Sequence, residues 1–114
     1  VQSQFRVDLR HEEGGTVIAV SGELDLASSP ALEERLDEVF GSDAELVVLD
    51  LRELEFMDST GLSVLIRAHQ TAEAGERRLS VVKGPPQVQR LLTLTGVGER
   101  LAVVDTPEDA LRGG

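Results

Sequence analysis

The sequence predicts a single α/β domain spanning 1–114, built on a mixed β-sheet in which an N-terminal antiparallel hairpin joins parallel strands flanked by about four α-helices. Three observations predict it. The first residues, Val1 to Arg10, alternate: Phe5, Val7 and Leu9 fall on one side and Gln4, Arg6, Asp8 and Arg10 on the other, the period-two signature of a strand with one buried face. Leu46-Val47-Val48-Leu49 is continuously apolar, the pattern of a central strand covered on both faces. Short apolar runs then alternate with stretches of helical period, which indicates parallel pairing through right-handed crossovers. The 114 residues, 40% hydrophobic and 28% charged, suit one compact core.

In order, His11-Glu12-Glu13-Gly14-Gly15 interrupts the first strand, and Thr16 to Ser21 returns as its antiparallel partner, turning at the glycines. Gly22-Glu23-Leu24-Asp25 reads as a loop. Ser28-Ser29-Pro30 then opens a helix, with a serine cap ahead of proline in the first turn. Leu32, Leu36, Val39 and Phe40 form its apolar stripe, and Gly41 ends it. Leu46 to Leu51 is the central strand. After a loop over Glu55 to Thr60, Leu62, Leu65, Ile66, His69 and Ala72 share a helical face, with Gly75 placed as the residue after the last turn. Leu79 to Lys83 is a strand, and Gly84-Pro85-Pro86 turns into a helix whose stripe is Val88, Leu91, Leu92 and Thr95, closed by Gly96. Leu101 to Val104 is the last strand. Thr106-Pro107-Glu108-Asp109 caps a short final helix.

Composition excludes several functions. Three Phe with no Trp or Tyr leave few base-stacking platforms, and a net charge of −10 repels nucleic acid and anionic membranes alike. The absence of cysteine removes disulfides, thiolate metal sites and thiol nucleophiles. No metal-ligand cluster or glycine-rich phosphate loop has a known spacing, so no cofactor is expected. With no run of membrane-spanning length and no cysteine, the reading is a cytoplasmic protein, and the expected state is a monomer.

Parallel strands send the loops from their carboxyl ends to one edge of the sheet, where ligands and partners dock. Two such loops belong there: Gly22-Glu23-Leu24-Asp25 and Glu55-Phe56-Met57-Asp58-Ser59-Thr60, so Asp25, Asp58 and Ser59 should share a patch. By local chemistry alone Asp58-Ser59-Thr60 is a helix cap, Gly22 and Asp25 are turn residues, and Phe56 and Met57 are core beneath the hinge. The start of a helix also tolerates an anion, and a phosphorylated serine would be favoured there. An enzyme acting through Ser59 needs a base, and neither His11, in the expected turn, nor His69, at least two turns further along the helix, is placed to serve.

The combination of Gly22-Glu23-Leu24-Asp25, Val47-Val48-Leu49-Asp50-Leu51 and Phe56-Met57-Asp58-Ser59-Thr60-Gly61-Leu62 resembles the anti-sigma-factor antagonists of the STAS domain family. The resemblance covers nearly the whole chain, and Arg90-Leu91-Leu92 to Thr95-Gly96 resembles that family's third helix. It implies a non-enzymatic module that binds an anti-sigma factor which is also a serine kinase, and so frees a sigma factor. Ser59 matches the serine that the kinase phosphorylates to end binding, and a serine phosphatase would reverse the step. The kinase would bring ATP and Mg²⁺. The resemblance places partner binding at Gly22, Glu23, Asp25, Met57, Asp58, Ser59, Thr60 and Gly61, with Asp58 orienting Ser59 or its partner contacts and Asp25 docking beside it. The alternative is a STAS-type scaffold or ligand-sensing subunit of a transport complex, in which Ser59 is only a cap.

Overall fold

The computed structural model describes residues 5–113, so the first part of the expected alternation, Val1 to Gln4, lies outside the described residues. The elements are β1 (Arg6–Glu12), β2 (Gly15–Leu24), α1 (Ser29–Phe40), β3 (Leu46–Met57), α2 (Ser59–Ala74), β4 (Arg78–Val82), α3 (Pro86–Thr95), β5 (Ala102–Val104) and α4 (Pro107–Arg112), with a 3₁₀ turn at Val97–Glu99. They form a five-stranded sheet in the order β1-β2-β3-β4-β5, whose first pair is antiparallel and whose other pairs are parallel. Fold class and element order follow the sequence reading.

Because Glu12 pairs with Gly15, only Glu13 and Gly14 turn the hairpin, and Gly14 takes the left-handed φ of +98° that such a tight turn requires. His11 is therefore not in the turn. It sits on β1 opposite Thr16, with Nδ1 3.3 Å from the Thr16 hydroxyl.

The strand order never reverses. Successive right-handed crossovers then place their connecting helices on the same side, and α1, α2 and α3 do share one face. Leu32, Leu36, Val39, Leu62, Leu65, Val88 and Leu92 pack there on Ile18, Val20, Val47, Leu49, Leu51 and Val81. Among the described residues the opposite face is covered by α4, where Ala110 packs with Val17, Leu46, Val48 and Val82. The stretch Leu46 to Leu51 is buried throughout, as a strand between two layers must be. That second face also carries Asp50, which is 6% exposed and accepts hydrogen bonds from Arg52 N, Nε and Nη2 at 2.9 to 3.3 Å. Donation to the Asp50 carboxylate raises the pKa of the Arg52 guanidinium above its ordinary value, against the desolvation that would lower it.

Both strands that lead to the candidate edge run longer than the sequence suggests. β2 continues through Gly22, Glu23 and Leu24, so only Asp25 of the expected loop lies beyond it, and β3 continues through Glu55, Phe56 and Met57. The cause lies in their register. Ala19 faces Asp50 but Ser21 faces Glu53, and Gly22 faces Leu54 but Glu23 faces Phe56, so β3 holds an extra residue in each interval. These bulges put Leu51, Leu54 and Met57 on the buried side at intervals of three instead of two, and Gly22 accommodates the bend with a φ of +89°.

Helix ends hold three corrections. Gly75 caps α2 with a φ of −93°, and the left-handed residue is the following Glu76, at +56°. Ser28 occupies the cap position of α1 but makes no capping bond with its side chain. Thr95 is exposed and turns its hydroxyl back to the Leu91 carbonyl at 2.7 Å, which leaves the buried stripe of α3 to Val88 and Leu92. Thr106 does cap α4, accepting from Asp109 N at 3.1 Å.

Candidate functional site

Strand β3 enters α2 with one residue between them. That residue, Asp58, has extended backbone and a side chain whose Oδ1 accepts from Thr60 N at 2.9 Å and Gly61 N at 3.0 Å. These are the donors that a helix start leaves without intrahelical partners. Asp58 therefore orders the backbone that carries Ser59 and makes no hydrogen bond to the Ser59 hydroxyl among the described residues. Ser59 is the first residue of α2 and is exposed, its carbonyl accepting from Ser63 Oγ at 3.1 Å.

Three buried residues support this turn from beneath. Asp58 N donates to Leu24 O at 3.1 Å, which ties the end of β2 to the start of α2. Gly61 lies against that junction. A Cβ there would sit 2.8 Å from both Leu24 Cγ and Met57 Cγ and 2.9 Å from Leu24 O, so only glycine lets the helix approach. Gly22, Met57 and Gly61 are all buried, and their part at this edge is to shape it. Phe56 does not pack beneath the hinge with Met57: it is on the next position of the strand and 48% exposed.

The second expected loop begins at Asp25. Its Oδ1 accepts from Ala27 N and Ser28 N, each at 3.1 Å. In return Ser28 Oγ accepts from Asp25 N at 2.9 Å and hydrogen-bonds with Glu23 O at 2.7 Å. Sequence reasoning took Ser28 for a helix cap and missed this staple. The Asp-x-x-Ser spacing was its signal, since such side chains fold the backbone around themselves in short turns. Because Leu24 pairs with Met57, Asp25 and Asp58 leave neighbouring strands at the same level. The structure thus brings Glu23, Asp25, Asp58, Ser59 and Thr60 to one edge.

The histidines are far from it. His11 lies where β2 begins, at the opposite end of the sheet, and His69 is ten residues beyond Ser59 along α2, about 15 Å by helical rise. His69 Nε2 is 3.5 Å from Glu73 Oε1. Among the described residues no group of three or more His, Cys, Asp or Glu could hold a metal ion, and no helix is long and apolar enough to cross a membrane.

A family model described as the STAS domain matches residues 6–110. The chain belongs to the STAS domain family. Its STAS relatives include an anti-sigma F factor antagonist of Paenibacillus polymyxa, 30% identical over 94% of this chain and 92% of that protein. The anti-sigma-F factor antagonist RsfB of Mycobacterium tuberculosis is 32% identical over 94% of this chain and 87% of its own. Among solved STAS structures, an anti-sigma factor antagonist from Mycobacterium paratuberculosis superposes with a TM-score of 0.85 at 30% identity, covering 96% of each chain. The likeness to these antagonists therefore spans both strands and both turns of the edge.

Proposed function

We propose that this chain is an anti-sigma-factor antagonist whose binding is switched by phosphorylation of Ser59. In its unmodified form it binds an anti-sigma factor that is also a serine kinase, and the sigma factor is released. Transfer of phosphate to Ser59 ends that complex, and a serine phosphatase restores it. The chain itself performs no catalysis. The observation that carries this reading is the placement of Ser59: an exposed hydroxyl on the first residue of a helix, on a turn fixed by Asp58 and flanked by Asp25 and Glu23.

The electrostatics support a switch that works without refolding. A phosphate adds about −1.5 to −2 charges. Within the chain the helix N-terminus favours that charge, by about 0.3–1 kcal/mol at an exposed site. Across an interface the same dianion must be desolvated beside Asp25 and Asp58, and a like-charge contact there costs several kcal/mol, where about 1.4 kcal/mol already means tenfold in affinity. The kinase supplies nucleotide and metal.

Intact-mass analysis after incubation with the cognate anti-sigma kinase and ATP tests the assignment. One added phosphate is expected, and it should be absent from Ser59→Ala. Undiminished labelling of that variant would move the site elsewhere.

A further inference from the structure

Among the described residues, three large apolar side chains stand in solvent: Leu26 at 74% exposure, Phe56 at 48% and Leu94 at 74%. Single exposed leucines are ordinary on a protein surface. Two of these three are not isolated, because Leu26 and Phe56 belong to the same edge as Ser59. Phe56 pairs with Glu23 in the register of β2 and β3, one residue before the Leu24–Met57 pair, and Leu26 is two residues past Leu24. Of the three phenylalanines, Phe5 and Phe40 are partly buried against the core, so Phe56 alone is offered to solvent.

The loop that carries Leu26 is also stiff. Asp25 Oδ1 holds the amides on the far side of Leu26, at Ala27 and Ser28, while Ser28 Oγ bonds back to Asp25 N and Glu23 O. The backbone that presents this leucine is already ordered, so binding removes only the rotamer freedom of its side chain. The two segments that carry the pair, 22–28 and 55–60, hold four charged residues, Glu23, Asp25, Glu55 and Asp58, all acidic, and the base on β3, Arg52, is engaged by Asp50.

We propose that Leu26 and Phe56 are the apolar anchors by which this edge docks on the anti-sigma factor, and that the partner surface is an apolar pocket rimmed by Arg or Lys. This rests on the reading of the chain as an anti-sigma-factor antagonist. Apolar contact at the centre supplies affinity, and the acidic rim selects and steers a basic partner. Ser59 lies on that rim. Its phosphorylation therefore changes a charge beside the anchors without touching them.

Leu94 provides the control. α3 begins next to the edge, where Gln87 Nε2 donates to Glu55 O at 3.0 Å, and runs away from it, so Leu94 is carried about 12 Å along the helix from Pro86. The test is calorimetric titration of the purified cognate anti-sigma factor with wild type, Leu26→Ser, Phe56→Ser, Leu94→Ser and Ser59→Asp, each first checked by circular dichroism. Leu26→Ser and Phe56→Ser should each weaken binding at least tenfold, and Leu94→Ser should stay within twofold of wild type. Binding of Leu26→Ser within twofold of wild type overturns the proposal, as does an equal loss in Leu94→Ser. If Phe56→Ser loses its fold, Leu26→Ser alone decides, since its side chain lies outside the packed core. Unweakened binding by Ser59→Asp beside a loss in Leu26→Ser would sink the switch and leave the anchors standing. A wild type that does not bind sinks both.

Discussion

Asp58 shows how one side chain can serve structure and setting together. Its Oδ1 satisfies two first-turn amides, and its charge lies at the end of the helix where the dipole favours an anion. The two contributions separate by substitution. Asp58→Ala removes the acceptor and should cost about 1 kcal/mol of folding stability, whereas Asp58→Asn keeps an oxygen in place and should cost only a few tenths. Urea denaturation of the three proteins measures this, and an Asn variant as unstable as the Ala variant would assign the effect to charge. The residue types at this turn were legible in the sequence because Asp, Ser and Thr before an apolar periodic run are a capping signal. Which atom caps which amide was not. Asp58 and Ser59 are both competent caps, and only the extended backbone of Asp58 decides between them.

At the scale of elements, Arg77 ties α1 to the chain that follows α2. Its Nη1 donates to Val39 O at 3.3 Å, a carbonyl that also accepts from Ser42 N and Oγ, and its Nη2 to Ser42 O at 2.8 Å, just past the end of α1. Arg77→Ala should therefore destabilise the protein by about 1–3 kcal/mol. Hydrogen exchange should localise the loss to the last turn of α1 and the 41–45 connection, and a loss spread evenly over the sheet would contradict the tether. Nothing in the local sequence marks Arg77, because its partners lie more than thirty residues away. The same limit explains the lengths of β2 and β3. A strand with strict alternation announces itself, as Phe5 to Arg10 does, but Leu51, Leu54 and Met57 are spaced by three because of bulges that exist only in the pairing with β2. The sequence therefore signals a strand ending at Leu51 and a loop before Ser59, where the protein has a continuous strand that delivers Asp58 directly to the helix.

For the molecule as a whole, the absence of a reversal in strand order decides what kind of site it can have. Ligand crevices in open α/β sheets form where strand order reverses and neighbouring loops part to opposite faces. Here successive connections cross on one face, and the carboxyl ends of β2 and β3 meet at the Leu24–Asp58 contact instead of parting. Such an edge suits a second protein surface better than an enclosed small molecule. It also keeps the charge change local: Ser59→Asp should leave the thermal midpoint within about 5 °C of wild type, since the dipole contributes under about 1 kcal/mol. A scanning calorimetry shift beyond about 10 °C would show that the modification acts through the core. Fold class and the common placement of Asp25, Asp58 and Ser59 were readable because hydrophobic period and chain order are local. Leu26 carried no signal and Phe56 read as core beneath the hinge, because exposure is settled by what does not pack against a residue, which a linear pattern leaves unstated.

The unreversed strand order has a further consequence, for synthesis. A chain emerging from the ribosome N-terminus first completes the β1-β2 hairpin before β3 appears, and each later strand adds to the edge just formed. No strand has to insert between two that are already paired. Each new strand therefore covers the edge that its predecessor exposed, and no interior edge has to stay open for a strand made later. A nascent chain that has reached Lys83 already contains β1 to β4 in their final order, and the three-residue β5 then joins at the β4 edge.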